Sequence, residues 1–123
     1  MRILSADGER FELVSTVGLP ASLHDAEQLV DRHCGFCGQA VDQGHVVWSG
    51  ELRGCAVRTG DPFFGPACRG ALAVPLRYGQ RVLGIYNLFF AQGAQPQPEV
   101  LTILRSVGEL LGLALEKHRL EAE

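Results

Sequence analysis

The sequence has little of what nucleic-acid-binding and membrane proteins need. Its 123 residues include a single lysine, Lys117, and the net charge is −3. Because phosphate binding depends on a basic surface, these values argue against nucleic acid as a partner. No apolar run reaches the roughly 20 residues of a membrane-spanning helix, and the N-terminus lacks the pattern of a signal peptide. We therefore expect a cytoplasmic protein with no membrane partner.

The motifs of common enzyme classes are missing as well. The sequence has no phosphate-binding loop, no dinucleotide-binding fingerprint and no supported Ser-His-Asp arrangement. Hydrophobic residues make up 46% of the chain and charged residues 20%, which is typical of a globular protein. The length is that of one domain with a core of its own. We expect a single domain over residues 1–123 that is not an enzyme.

What is present is a regular succession of strand and helix patterns. Asp7-Gly8 separates two alternating apolar runs and thus predicts a hairpin. Further patterns predict helices over 21–30 and 35–44, a strand over 45–49, an irregular segment over 50–69, a hairpin of strands 70–76 and 81–90, and a helix from 99 to about 120. This order predicts an α+β fold, an antiparallel sheet with the long helix on one face and a loop-and-helix lid on the other. A small-molecule pocket is expected beneath such a lid.

Four cysteines fall in the predicted lid segments, and none falls in a predicted sheet strand or in the long helix. They are Cys34, Cys37, Cys55 and Cys68, spaced C-x2-C-x17-C-x12-C. In a cytoplasmic protein such a set is more typical of metal binding or redox chemistry than of disulfides. The first pair lies at the start of a predicted helix, where backbone N–H groups and the helix dipole favour thiolates. Spacing alone leaves three interpretations open, namely unrelated apolar cysteines, a zinc site without its usual second close pair, and an iron–sulfur cluster.

Other chemistry-bearing residues near these segments have ordinary interpretations. His33 and His45 flank the first cysteine pair and could replace a ligand, but isolated histidines beside loops are usually solvated. The aromatic residues of the stretch 61–64 are expected to fill the lid. Tyr86 and Asn87 are neighbours on a predicted strand, so alternation turns only one of them toward the pocket.

Three long stretches, taken in their order, resemble the GAF domain family. They are "LSADGERFELVSTVGLP" at 4–20, "CGFCGQAVDQGHVVW" at 34–48 and "DPFFGPACRGALAVPLRYGQRVLGIYNLFF" at 61–90. The resemblance covers nearly the whole chain and implies a sensory module with a six-stranded antiparallel sheet. Such domains usually begin with a helix that packs beside the last one. Here the first predicted element is a strand, so either the N-terminus is trimmed or a partner chain fills that place.

One branch of this family is similar in its cysteines too. In two-component sensor histidine kinases that respond to oxygen or nitrate, a GAF domain carries a similar "CGxCG" helix and two later cysteines. The resemblance implies that Cys34, Cys37, Cys55 and Cys68 hold a redox-labile iron–sulfur cluster, with zinc as the alternative, and that preparation in air empties the site. It implies redox, oxygen or nitrogen-oxide sensing. The alternatives are a GAF-type methionine sulfoxide reductase and a small-molecule-binding GAF domain with a structural zinc site.

The closing helix indicates a protein partner. Spacings of four and three residues predict a coiled-coil-like seam, formed by Val100, Leu104, Val107, Leu111 and Ala114. The apolar residues predicted to face the domain's own sheet are Ile103, Leu110 and Leu113. We expect a parallel homodimer through this helix, which continues into an output module such as a histidine kinase.

Overall fold

The protein folds as a twisted antiparallel sheet with a long helix on one face and shorter elements on the other. The computed structural model describes residues 1–52, 55, 59–64 and 68–122. The strands are β1 (Arg2–Leu4), β2 (Arg10–Leu13), β3 (Leu29–Asp31), β4 (Val47–Ser49), β5 (Gly70–Tyr78) and β6 (Arg81–Phe90). The helices are α1 (Ala21–Ala26), α2 (Gly35–Gln43) and α3 (Pro98–Ala122), and a 3-10 turn spans Pro62–Phe64. The predicted α+β class is confirmed.

The sheet places the two hairpins side by side. In the described residues the strand order is β3-β2-β1-β6-β5-β4, with antiparallel pairing throughout. Asp7 shapes the first hairpin, because its carboxylate accepts hydrogen bonds from the Ser5 hydroxyl at 2.6 Å and from the Glu9 N–H at 3.0 Å. The central pair, β5 and β6, runs from Gly70 opposite Phe90 to Tyr78 opposite Arg81. Both hairpins lie where the sequence predicts them.

The helix predicted over 21–30 is wrong in its second half. α1 ends at Ala26, and β3 follows and pairs with β2. Val30 lies opposite Phe11 in this pair and both side chains are buried, so edge pairing stabilises these residues more than another helical turn would. Ser22 does not cap α1, because its hydroxyl donates instead to the Asp61 carboxylate at 2.6 Å.

α3 packs on the sheet through its smallest residues. Its described buried positions are Gly108, Gly112 and Glu116, which recur every four residues. A Cβ atom on Gly108 would overlap the carbonyl oxygen of Pro75, and one on Gly112 would overlap that of Arg77. Only glycine lets the helix approach the backbone of β5 this closely.

This glycine face corrects the predicted orientation of α3. Ile103 and Leu110, predicted to face the sheet, are 63% and 67% exposed, and Leu113 is exposed as well. Leu104 and Leu111, predicted to form the partner seam, are half-buried against the domain. The predicted orientation was wrong because α3 contacts β5 through Gly108 and Gly112 and not through its largest apolar side chains.

Two polar contacts connect α3 to β6, an ion pair between Glu116 and Arg81 and a hydrogen bond from Tyr86. The buried carboxylate of Glu116 pairs with Arg119 at 2.6 Å and with Arg81 at 3.5 Å. The hydrogen bond from Arg119, helped by the charges of both arginines, keeps the pKa of Glu116 below its usual value in spite of desolvation. The Tyr86 hydroxyl donates to the Leu104 carbonyl oxygen at 2.6 Å.

Of the helices in the described ranges, none has both the length and the hydrophobicity that crossing a bilayer requires.

Candidate four-cysteine site

The sheet face opposite α3 carries two adjoining apolar clusters. The first lies beneath α2 and includes Cys37 and Ala73, and the second includes Cys68 and Ala71. Because Ala71 and Ala73 are two residues apart on β5, the clusters share one face of the sheet. Phe36 packs against both of them. The four cysteines are thus distributed over one continuous surface.

Cys34 and Cys37 mark the first turn of α2. Cys34 is the residue that precedes the helix, and Cys37 follows one turn later on the buried side. Gly38 permits this entry, since a Cβ atom there would lie 2.8 Å from the Cα atom of His33. Both thiols belong to the first cluster, Cys37 as a buried member and Cys34 as a half-buried neighbour. The predicted helix at the Cys-x-x-Cys motif is present, and the pair lies at its start as expected.

Cys37 has an environment suited to a thiolate ligand. Its side chain is 8% exposed, and its Sγ accepts a hydrogen bond from Asn87 Nδ2 at 3.3 Å. Burial raises the pKa of the Cys37 thiol to about 12, while the Arg2 charge and the Asn87 N–H oppose this rise. Cys34 and Cys55 add to the rise electrostatically, so both lie within interaction range of Cys37. Without a cation the buried sulfur stays protonated, and a bound metal would reverse that preference.

The arginine beside Cys37 belongs to a buried ion pair. Arg2 Nη2 lies 3.3 Å from Glu27 Oε2, and Arg2 Nη1 donates to the Glu27 carbonyl oxygen at 2.9 Å. Charged side chains are rarely buried unless they are paired. Neither Arg2 nor Glu27 was predicted as a site residue from the sequence. The alternation of β1 could have revealed Arg2, because Arg2 and Leu4 share the face of the strand that points to the core.

Cys55 and Cys68 lie together in the second cluster. Cys55 is half-buried and packs against it, and its carbonyl oxygen accepts a hydrogen bond from the Thr59 hydroxyl at 2.9 Å. Cys68 is buried, and its thiol donates to the Gly70 carbonyl oxygen at 3.5 Å. Burial raises the pKa of the Cys68 thiol as well. Backbone hydrogen bonds at Gly70 and Phe90 lower the pKa of Cys68 and so oppose the effect of burial.

The aromatic residues of the 61–64 stretch pack as the sequence predicts. Phe63, Phe64 and Phe89 form a triangle of rings with centroids 5.4 to 5.7 Å apart, within the range of favourable edge-to-face pairs. Asp61 fixes the turn that carries them, because its carboxylate accepts the Phe63 N–H at 2.9 Å. These rings border the second cysteine cluster.

Of the other candidate site residues, only some lie near the cysteines. His33 and His45 are exposed, and their described contacts are with Asp31 and Val46. Asn87 faces the cysteines, whereas its neighbour Tyr86 contacts α3 on the opposite side of the sheet. The alternation predicted for these two residues is therefore observed, and it is the polar amide that faces the lid.

The donor set matches a thiolate-ligated centre in its chemistry. All four cysteines are thiols and not disulfides. An N–H donor and a guanidinium near Cys37 are the kind of outer contacts that stabilise a ligating thiolate. In the described part of the chain, however, no three His, Cys, Asp or Glu side chains are already gathered closely enough to hold a metal ion. The two cysteine pairs are therefore not assembled into a metal site in this structure.

A cavity of about 460 Å³ adjoins this site at the start of β1. Its lining includes Arg2, Glu27 and Asn87, and it extends to Val107 and Leu111 of α3. This size and this mixture of walls are typical of pockets for small molecules.

The chain belongs to the GAF domain family, whose family model matches residues 2–116. It is similar in structure to the second GAF domain of DevS from Mycobacterium smegmatis, with a TM-score of 0.70 and 20% identity over 99% of this chain and 83% of that one. A domain of a putative two-component sensor histidine kinase from Sinorhizobium meliloti gives a TM-score of 0.74 at 14% identity, over 98% and 78% of the two chains. The free methionine-R-sulfoxide reductase of Neisseria meningitidis gives 0.74 at 20% identity, over 98% and 67%.

These likenesses establish the fold. Because the identities are low, they do not choose between a sensor and a reductase. A comparison with curated proteins found no sequence match. The choice of function depends on the residues of this chain.

Proposed function

We propose that this GAF domain is a cytoplasmic sensory module that responds to redox state, oxygen or nitrogen oxides through a metal centre held by Cys34, Cys37, Cys55 and Cys68. The observation that carries the proposal is the distribution of all four thiols over one sheet face, around a buried sulfur with an N–H donor and a guanidinium nearby. Four thiolates suit an iron–sulfur cluster and also zinc. We favour the iron–sulfur cluster because the sequence resembles GAF sensors with a similar cysteine helix.

The residues of this chain would hold and tune the centre. A bound iron–sulfur cluster would supply reversible electron transfer and sensitivity to oxygen. The Arg2 charge and the Asn87 N–H would offset the negative charge of the Cys37 thiolate. If the two cysteine pairs closed around one centre, binding of that centre would stabilise the lid conformation in which the four cysteines are gathered. Loss of the centre would remove this stabilisation of the lid.

Anaerobic reconstitution with iron and sulfide, with cobalt(II) as a parallel probe, tests the proposal. We expect visible charge-transfer bands and stoichiometric metal in the wild type, and loss of both in Cys37→Ala and Cys68→Ala. His33→Ala and His45→Ala serve as controls and should bind as the wild type does. If wild-type protein binds neither probe, or if the cysteine variants bind equally well, the four-cysteine centre is refuted.

The second candidate is a methionine sulfoxide reductase, which the fold similarity to the Neisseria meningitidis enzyme brings forward. Nucleophilic cysteines react as thiolates, and burial raises the pKa values of Cys37 and Cys68, which disfavours both as nucleophiles in this state. A reductase would be colourless and would consume free methionine sulfoxide with thioredoxin, whereas a sensor would show no turnover. The cavity of about 460 Å³ supports a third candidate function, a domain that binds a small molecule and holds a structural zinc ion.

The exposed side of α3 supports a parallel homodimer that feeds an output module such as a histidine kinase. Its apolar residues recur at spacings of three and four and are all exposed, namely Val100, Ile103, Val107, Leu110 and Ala114. That periodicity is typical of a two-stranded coiled coil. The seam proposed here replaces the one expected from the sequence, because Leu104 and Leu111 turn toward the domain's own sheet.

A further inference from the structure

Asn87 lies in the sheet and donates a hydrogen bond to the helix that carries the Cys-x-x-Cys motif. It lies in β6 opposite Ala73, in the middle of the sheet. Its Nδ2 donates to Cys37 Sγ at 3.3 Å and so joins residues 50 positions apart in the chain. The cysteine sulfur is the acceptor in this hydrogen bond.

The Cys37 sulfur accepts a hydrogen bond from a side chain, whereas the described contact of the Cys68 thiol is with the backbone. The Cys37 sulfur receives an N–H, and this contact strengthens when the sulfur carries negative charge. The buried guanidinium of Arg2, on the neighbouring strand β1, acts in the same direction. Both contacts would stabilise the Cys37 thiolate once a metal binds.

We infer that Asn87 is a positioning residue for Cys37, holding its sulfur as the first ligand of the centre and raising the reduction potential of a cluster bound there. The inference rests on the proposed function. A hydrogen bond to a ligating sulfur stabilises the reduced cluster more than the oxidised one, because the reduced form places more negative charge on sulfur. Outer contacts of this kind typically change metal affinity by about 10- to 100-fold.

Asn87→Asp and Asn87→Leu test this role. The aspartate keeps the shape but replaces the N–H donor with oxygen, and the leucine removes the polar group. Tyr86→Phe is the matched control, because it removes one hydrogen bond from the adjacent residue of the same strand on the opposite face. We expect cobalt(II) affinity to fall at least about tenfold in both Asn87 variants and to stay unchanged in Tyr86→Phe.

The spectrum and the potential separate positioning from a merely structural role. In both Asn87 variants the sulfur-to-cobalt charge-transfer band should shift and the midpoint potential of the reconstituted cluster should fall. Asn87→Gln, which keeps an N–H donor on a flexible side chain, should recover part of both. Wild-type affinity, band and potential in Asn87→Asp and Asn87→Leu would overturn the inference while the proposed function stands. Absence of cysteine-dependent binding in the wild type would overturn both.

Discussion

The two faces of the sheet are held in opposite ways. On one face, α3 contacts the backbone of β5 through Gly108 and Gly112, and a buried carboxylate pairs with two arginines. On the other face, short elements cover two apolar clusters that contain the four cysteines. The helix face leaves no space for a side chain at its closest contacts, whereas the cysteine face carries four thiols that are not gathered around one point. One face is fixed by backbone contact, and the other carries the reactive groups.

This contrast separates stability from chemistry. A close backbone contact can be disrupted by a single methyl group, but it offers a ligand nothing to bind. A cluster of thiols beside a cavity contributes less rigid packing, yet it holds the groups that a metal needs. Substitutions on the helix face should therefore change the free energy of unfolding, and substitutions on the cysteine face should change reactivity.

The largest effect should be seen in the alkylation of Cys37. Because burial raises the pKa of Cys37, its thiolate fraction near pH 8 is lower in the folded protein than in the unfolded chain, and burial blocks access as well. Iodoacetamide followed by peptide mass mapping should label Cys37 far more slowly in the folded metal-free protein than in urea. Equal rates in the two states would show that the cysteine face is open.

The same thiol predicts a pH dependence. Because its pKa in the folded state lies above the ordinary value of 9, the buried neutral thiol stabilises the fold below about pH 9. That contribution should be lost as the pH rises from 9 toward 12. Urea unfolding across this range should show a smaller loss in Cys37→Ala than in the wild type.

The next largest effect should come from Gly112→Ala. The new Cβ atom would overlap the Arg77 carbonyl oxygen, so the helix must move away from β5. Overpacking of this kind costs about 1–3 kcal/mol or more in unfolding free energy. Gly93→Ala is the control, because its Cβ atom would meet nothing within 4 Å. Denaturant unfolding that finds equal stability in both variants would contradict the close contact.

The smallest effect on the fold should come from Ile103→Glu/Leu110→Glu on the outer side of α3. Both positions are exposed, so we expect a change of unfolding free energy within about 0.5 kcal/mol. The proposed homodimer should nevertheless dissociate, because two charges would enter its seam. Sedimentation of wild type and variant distinguishes the cases. A wild type that is monomeric at high concentration excludes pairing through this surface.

Local patterns predicted much of the fold. Asp7-Gly8 indicated the first hairpin, and the apolar run of β5 matched a strand buried on both faces. β3 was missed because Val30 is buried by its pairing with Phe11, a contact between distant parts of the chain. The face of α3 was mistaken for a related reason, since a periodic pattern gives weight to leucines and ignores glycines.

The sequence was sufficient to predict which cysteines form the candidate site, but not which other residues contact them. Spacing and resemblance indicated the four cysteines. The hydrogen bond between Asn87 and Cys37 and the ion pair between Arg2 and Glu27 depend on which strands become neighbours in the sheet. Local sequence carries little information on such pairings, because they are decided by the packing of the whole domain.

β6 carries two functional contacts on adjacent residues, and this makes its register critical. Tyr86 contacts the helix face and Asn87 the cysteine face. Since side chains alternate along a strand, inserting or deleting one residue upstream of both in β6 would exchange them, with the phenol facing the thiols and the amide facing Leu104. Changes in chain length should therefore be tolerated in the turn at Gly79 and not within this strand. An alignment of functional relatives would be expected to show β6 free of gaps while the neighbouring loops vary.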